Sequence, residues 1–348
     1  MSFRTWLSLF TVVLLAVIVY FSRHEIAHAW GLLGRVNIWL LFLLIPGQML
    51  VYYAAGEMIF SYLRSKKAIG EISGFTLMRM ALEMNFVNHI LPSAGVSGVS
   101  YMNWRFGRYG VSAGRATMAQ VVRFSTGFAG FILLLFISVF AITIDGSVNR
   151  WIISLSALLV GLMLAAISSA IFLLSSKVRL ERFSMWLHVT GNSVISKVTF
   201  GRKRSLIDGE KMIEFFVDLH RDYLALSKDK KLLIKPFLWG LLFTSGDALL
   251  FMITFWALGT AVNPAIILIA YGLAALAGFF VATPGGAGAY EAIMVSVLTI
   301  AGITSQVAIA GILLTRVILL LGTIGFGYLF YQHAILKYGK DKKPPVLS

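Results

Sequence analysis

The sequence predicts an all-α polytopic membrane protein, with about six full transmembrane helices plus two re-entrant helical hairpins in inverted-topology repeats, or six to eight helices by hydropathy. Three observations carry that reading. First, 58% of the 348 residues are hydrophobic and only 13% are charged, and several apolar runs are long enough to cross a bilayer. Second, the net charge of +15 comes from basic residues that lie between those runs, where the positive-inside rule puts them; no nucleic-acid partner is needed to explain it. Third, two Pro/Gly breaks interrupt apolar sequence, at residues 91–95 and 282–293. Irregular backbone at membrane depth survives only where protein buries it or where it lines a polar cavity. The chain has no cysteine, which excludes disulfides, Cys-ligated zinc and iron–sulfur clusters.

The elements follow in order. Arg4 precedes an apolar run, and the charged Arg23-His24-Glu25 ahead of Ala27-His28-Ala29 argues against signal-peptide cleavage, so residues 6–21 read as a retained first span. A short amphipathic connection, with Ile26, Trp30 and Leu33 on one face, suits the membrane interface. The second span covers residues 38–63 and ends at the basic flank Arg64-Ser65-Lys66-Lys67. Residues 75–91 then enter, and the return over 93–104 gives only about 18 Å of helix, too short for a ~30 Å hydrocarbon core. This pair reads as a hairpin entering from the cytoplasm. Spans over 124–144 and 151–174 go out and back. Residues 177–235 hold 13 of the 30 Lys+Arg and 7 of the 15 Asp+Glu, which makes the segment cytoplasmic. Within it Met212, Phe216, Leu219, Tyr223 and Leu226 recur at helical spacing, as on a helix lying on the membrane surface or on the bundle. A span over 236–258 goes outward, 264–283 enters from outside and returns as 290–301, and 305–331 goes in. Both termini are then cytoplasmic, and residues 1–348 form a single domain of the cell or inner membrane.

The chain also repeats itself. Pro46 is followed eleven residues later by Glu57, and Pro236 eleven later by Asp247, each acid preceded by Gly. Pro92 is followed by Gly110 at 18 and Arg123 at 31; Pro284 is followed by Gly302 at 18 and Arg316 at 32. Residues 36–145 and 236–335 therefore read as two repeats around the cytoplasmic segment 176–235. Their opposite directions make them inverted, a layout of transporters whose discontinuous helices meet near the midplane.

Charged residues in apolar context are the candidates for a substrate site. Glu291, seven residues past Pro284, has Arg316 as its candidate partner, either as a pair that fixes the hairpin or as part of a site. Arg123 is the matching cation of the first repeat, with Arg105, Arg108 and Arg115 nearby. Guanidinium forks suit phosphate, and helix N-termini after the two breaks add partial positive charge; for Arg108 and Arg115 topology alone is a sufficient explanation, whereas Arg123 and Arg316 fall in apolar context and Arg105 stays a candidate. Glu57 and Asp247 hold equivalent places, and membrane carboxylates carry protons or pair with arginines. Glu83 shares the first hairpin arm with Asn85, Asn88 and His89, a polar face that serves either a site or the capping of the tip. The tips themselves are Pro92 and Gly95, and Pro284, Gly285, Gly286 and Gly288. His24-Glu25-Ile26-Ala27-His28 has the H-E-x-x-H spacing of a zinc site, yet it lies in a charged connection and the other histidines offer no third ligand. No metal and no cofactor are expected.

The stretch PGGAGAYEA with Gly302 and Arg316, together with LPSAG, Gly110-x-Ser112 and Arg123, resembles the transmembrane region of the lysylphosphatidylglycerol synthases, also called the flippase-like domain family. The similarity runs over nearly the whole chain. It implies a membrane domain that moves an anionic phospholipid or a polyprenyl-linked lipid between leaflets. The implied partners are that lipid and either a second copy of the chain or the enzyme that makes the lipid. Two departures stand out. The sequence ends at Ser348 without the synthases' catalytic domain, so aminoacyl transfer is not expected of it and it reads as no enzyme. Gly98-Val99-Ser100-Tyr101 also stands where family members often carry a charged Gly-Glu-x-x-Arg-like stretch. A secondary transporter of a soluble anion and an accessory membrane subunit remain as alternatives.

Overall fold

A computed structural model of the chain describes residues 36–70, 72–91, 96–144, 150–198, 209–280 and 288–338. The expected first span, the His24–His28 motif and the tip residues Pro92, Gly95, Pro284, Gly285 and Gly286 lie outside them. The described residues form helices and no strands. Five of these helical stretches are long and apolar enough to cross a membrane.

The run that reads as one helix over 38–63 is divided into α1 (Ile38–Phe42) and α2 (Leu44–Ser65). Pro46 is the reason: it has no N–H for the Phe42 carbonyl, and its ring crowds the turn before it. Leu43 N instead closes a tighter turn onto Leu40 O at 3.0 Å, and regular bonding resumes with Gly47 N to Leu43 O. Two shorter helices follow, α3 (Gly74–Ile90) and α4 (Val96–Gly107). Then α5 runs over Ala113–Ile144, beginning eleven residues ahead of the expected 124. Gly110 takes φ 75°, and the Ser112 hydroxyl accepts from Arg115 N at 3.4 Å; this caps the helix early, and Arg115 and Arg123 become helical residues rather than a flanking loop.

Helix α6 (Arg150–Leu174) leads into α7 (Lys177–Val198) and α8 (Gly209–Lys228). The apolar face of α8 lies on the bundle: Phe216, Leu219 and Leu226 are buried with Tyr62, Met118 and Val122, and Asp222 pairs with Arg115 at 3.1 Å. A 3₁₀ turn (Lys230–Leu233) opens α9 (Ile234–Ala257), followed by α10 (Pro264–Phe280), α11 (Ala289–Ile300) and α12 (Ser305–Tyr338).

Helices α2 and α9 pack along each other at the centre, and α5 crosses α9 where glycines let the backbones meet. A Cβ on Gly240 would stand 3.1 Å from the Thr126 carbonyl oxygen, and one on Gly130 3.2 Å from the Gly240 carbonyl carbon. Without a hydrophobic drive between helices in lipid, such close approach is how they gain packing energy. The neighbour relations are unchanged when α2, α3, α4 and α5 are exchanged for α9, α10, α11 and α12: α3 packs on α4 and α12, and α10 on α11 and α5.

Candidate functional site

Helices α4 and α11 have 12 residues each, about 18 Å at 1.5 Å per residue, so neither crosses a bilayer alone. Each packs instead on the helix before it, α4 on α3 and α11 on α10. The first turn of each short helix is fastened by a side chain. Asn88 on α3 accepts from Gly98 N at 2.7 Å, and Glu291 accepts from Gly288 N at 2.7 Å. Both short helices also end alike. Val111 N bonds to Phe106 O at 3.1 Å around Gly110, and Ile303 N to Leu298 O at 3.0 Å around Gly302, whose φ is 93°. Only a residue without Cβ takes that turn without strain.

Glu83 and Arg105 meet in a buried cluster. Glu83, fully buried, receives Arg79 Nε at 2.9 Å, Arg105 Nε at 3.1 Å and the Tyr101 hydroxyl at 2.7 Å. Arg79 also donates to Phe330 O at 3.3 Å, and the Arg105 guanidinium lies over the Tyr338 ring at 4.6 Å. The cluster ties the first hairpin to the far end of α12.

A second polar network lies where the hairpin arms approach α5, α9 and α12. Asp247 on α9 accepts from the Tyr271 hydroxyl of α10 at 2.6 Å. Arg123 on α5 is near enough for its charge to act on both. Tyr290 on α11 is coupled electrostatically to Tyr271, Asp247, Glu291 and Arg316. Arg316 pairs with Glu291 at 2.8 Å and lies over the Tyr290 ring at 4.3 Å. From the first hairpin, His89 is within electrostatic reach of Arg316. Gln48 Nε2 donates to Leu319 O at 2.8 Å and to Thr323 Oγ1 at 3.1 Å, and Tyr52 and Thr323 share a hydroxyl contact, joining α2 to α12 beside Asp247.

The two arginines differ. Arg316 is held by a carboxylate. Arg123 is half-buried; its guanidinium donates to Met84 Sδ at 3.4 Å and Gln120 Oε1 at 3.5 Å and lies over the Phe124 ring at 5.4 Å, and no carboxylate lies within 4 Å of it among the described residues. Gln120 is 2% exposed, and its Nε2 has no hydrogen-bond partner among the described residues. The two side chains thus offer hydrogen-bond donors that protein acceptors leave unfilled.

Of the sequence candidates, Arg123, Asp247, Glu291 and Arg316 come together in this network, with Gly288 at its edge. Glu83 and Arg105 pair in the buried cluster, although Arg105 Nη1 has no hydrogen-bond partner among the described residues. Glu57 turns to a separate opening, paired with Arg64. Sequence reading passed over Tyr271, Tyr290, Gln48 and Gln120, because single neutral polar residues inside apolar helices form no pattern. Among the described residues no group of His, Asp and Glu is arranged to hold a metal ion.

No curated protein matches the chain. The family model described as the lysylphosphatidylglycerol synthase TM region matches residues 6–327, and the chain belongs to that family.

Proposed function

We propose that this protein carries an anionic phospholipid or a polyprenyl-linked lipid between leaflets, with the phosphate received between the two hairpins at Arg123. The observation that carries this reading is the pair of unfilled donors, Arg123 and Gln120, on one face of a membrane helix. No carboxylate contacts this guanidinium directly among the described residues, and a phosphate would accept from its open donors in the bidentate geometry that arginine favours. Asp247 and the Glu291–Arg316 pair then border the headgroup and set the local field. In this reading residues 36–145 and 236–335 act as inverted repeats, and both termini face the cytoplasm.

A second observation favours a lipid over a soluble anion. Met118, Val122, Ala129, Ile171 and Phe237 line an almost wholly apolar groove of about 390 Å³ between α5, α6 and α9. It has the chemistry of a hydrocarbon chain. The test is reconstitution into liposomes with fluorescent phosphatidylglycerol, read by loss of dithionite-accessible signal. Arg123→Ala is expected to abolish translocation and Arg123→Lys to keep part of it, with thermal melting of both close to the parent. Full activity in Arg123→Ala overturns the site.

A further inference from the structure

A second opening lies at the basic end of the bundle, where Arg64 sits in the last turn of α2 and Lys66 and Lys67 follow it, and where Lys230 and Lys231 precede α9 and Lys235 stands in its first turn. Its volume is about 560 Å³. On the α2 side, Glu57, Ser61 and Arg64 follow at helical spacing and face it together. Glu57 is nearly buried and is neutralised by Arg64. Opposite stand Lys235, which is exposed and has no carboxylate within 4 Å among the described residues, and Trp239, whose ring meets Tyr53 edge-on at 5.4 Å.

Ser61 sets this opening apart. It is 3% exposed, and its hydroxyl has no hydrogen-bond partner among the described residues. Several hydroxyls of the long helices bond to the carbonyl one turn back, among them Ser65 to Ser61 O at 2.7 Å, Thr126 to Val122 O at 2.7 Å and Thr315 to Gly311 O at 2.7 Å. A buried hydroxyl that forgoes this bond loses free energy unless something else meets it. Counting charges, Arg64 and Lys235 against Glu57 leave one net positive charge. A singly charged oxyanion would fill that balance and accept from both Lys235 and Ser61.

We infer that this opening is a phosphate-binding site separate from Arg123, taking the phosphodiester of a lipid in the adjoining leaflet or a soluble phosphate ester. The lipid source fits the wall: Leu238 is 57% exposed at the rim, so hydrocarbon attached to the phosphate could leave sideways along α9. The inference rests on reading the chain as a handler of phosphate-bearing lipids, but its test measures binding and not transport.

The test is calorimetric titration of the full chain in detergent with dihexanoyl phosphatidylglycerol, dihexanoyl phosphatidylcholine and inorganic phosphate. Phosphatidylglycerol binding is expected to weaken roughly tenfold in Lys235→Ala, to recover in Lys235→Arg, and to stay at the parent level in Lys230→Ala, a lysine of the same end that does not line the opening. Ser61→Ala should weaken it too, by a smaller factor. Inorganic phosphate binding with the same Lys235 dependence, in the absence of lipid binding, supports the site and assigns it a soluble ester. Equal affinities in Lys235→Ala and Lys230→Ala, or no binding of any of the three phosphate-bearing compounds, overturn it. If Arg123→Ala stops translocation while Lys235→Ala leaves binding unchanged, this inference fails and the proposed function stands.

Discussion

Replacing Glu83 by Gln keeps the volume of the side chain but removes the charge between Arg79 and Arg105. Three contacts converge on that carboxylate, at 2.9, 3.1 and 2.7 Å, and the Arg105 side chain is only 2% exposed. Hydrogen bonds to a charged group contribute about 1.5–3 kcal/mol each. The larger effect is that Arg105 would remain buried without a counter-charge, and breaking one side of a buried pair costs about 3–5 kcal/mol. At roughly 2 °C or less per kcal/mol for a chain of this size, the melting temperature should fall by about 5–10 °C. Thermal unfolding of purified protein in a mild detergent, followed by circular dichroism, measures it. The double variant Glu83→Gln with Arg105→Met should recover part of the loss, because it removes the orphaned charge as well. If Glu83→Gln melts within a degree or two of the parent yet abolishes translocation, then Glu83 acts on substrate and the structural account of the cluster is wrong.

Two further outcomes follow from particular contacts. Gly240→Leu places side-chain atoms where Thr126 O would already stand 3.1 Å from a Cβ, so α5 and α9 must separate; overpacking of this kind costs about 1–3 kcal/mol, visible as a lower melting temperature. Glu291→Ala removes both the counter-charge of Arg316 and the acceptor for Gly288 N. It should weaken translocation in liposomes more than Glu291→Gln, which keeps an acceptor for the helix end, and equal loss in the two variants would mean that the charge alone matters.

Much of the helical plan is legible in the sequence because hydrocarbon imposes long apolar runs. The five described spans coincide with runs that composition alone picks out. The breaks and boundaries are less legible. The run over 38–63 reads as continuous, since Pro46 near the start of a helix is ordinarily tolerated; α1 shows it acting one turn inside a longer run. The start of α5 is hidden because Arg108 and Arg115 look like a flank, whereas the turn at Gly110 and the cap at Ser112 decide it. For the site, pairing Glu291 with Arg316 is readable because opposite charges are scarce in apolar helices. The contrast between a filled Arg316 and an unfilled Arg123 is not, since spacing does not say which arginine a carboxylate will reach. Glu83 shows the same limit: alone in the sequence it resembles a site residue, and in the structure two arginines and a tyrosine surround it.

Helix α12 carries a latch for each hairpin. Arg79 of the first reaches the Phe330 carbonyl, and Glu291 of the second reaches Arg316. These two points lie 14 residues apart on a continuous helix, about 21 Å along its axis. A rod pinned at two heights cannot tilt while both pins hold. Neither hairpin can therefore shift along this helix without first giving up a polar contact.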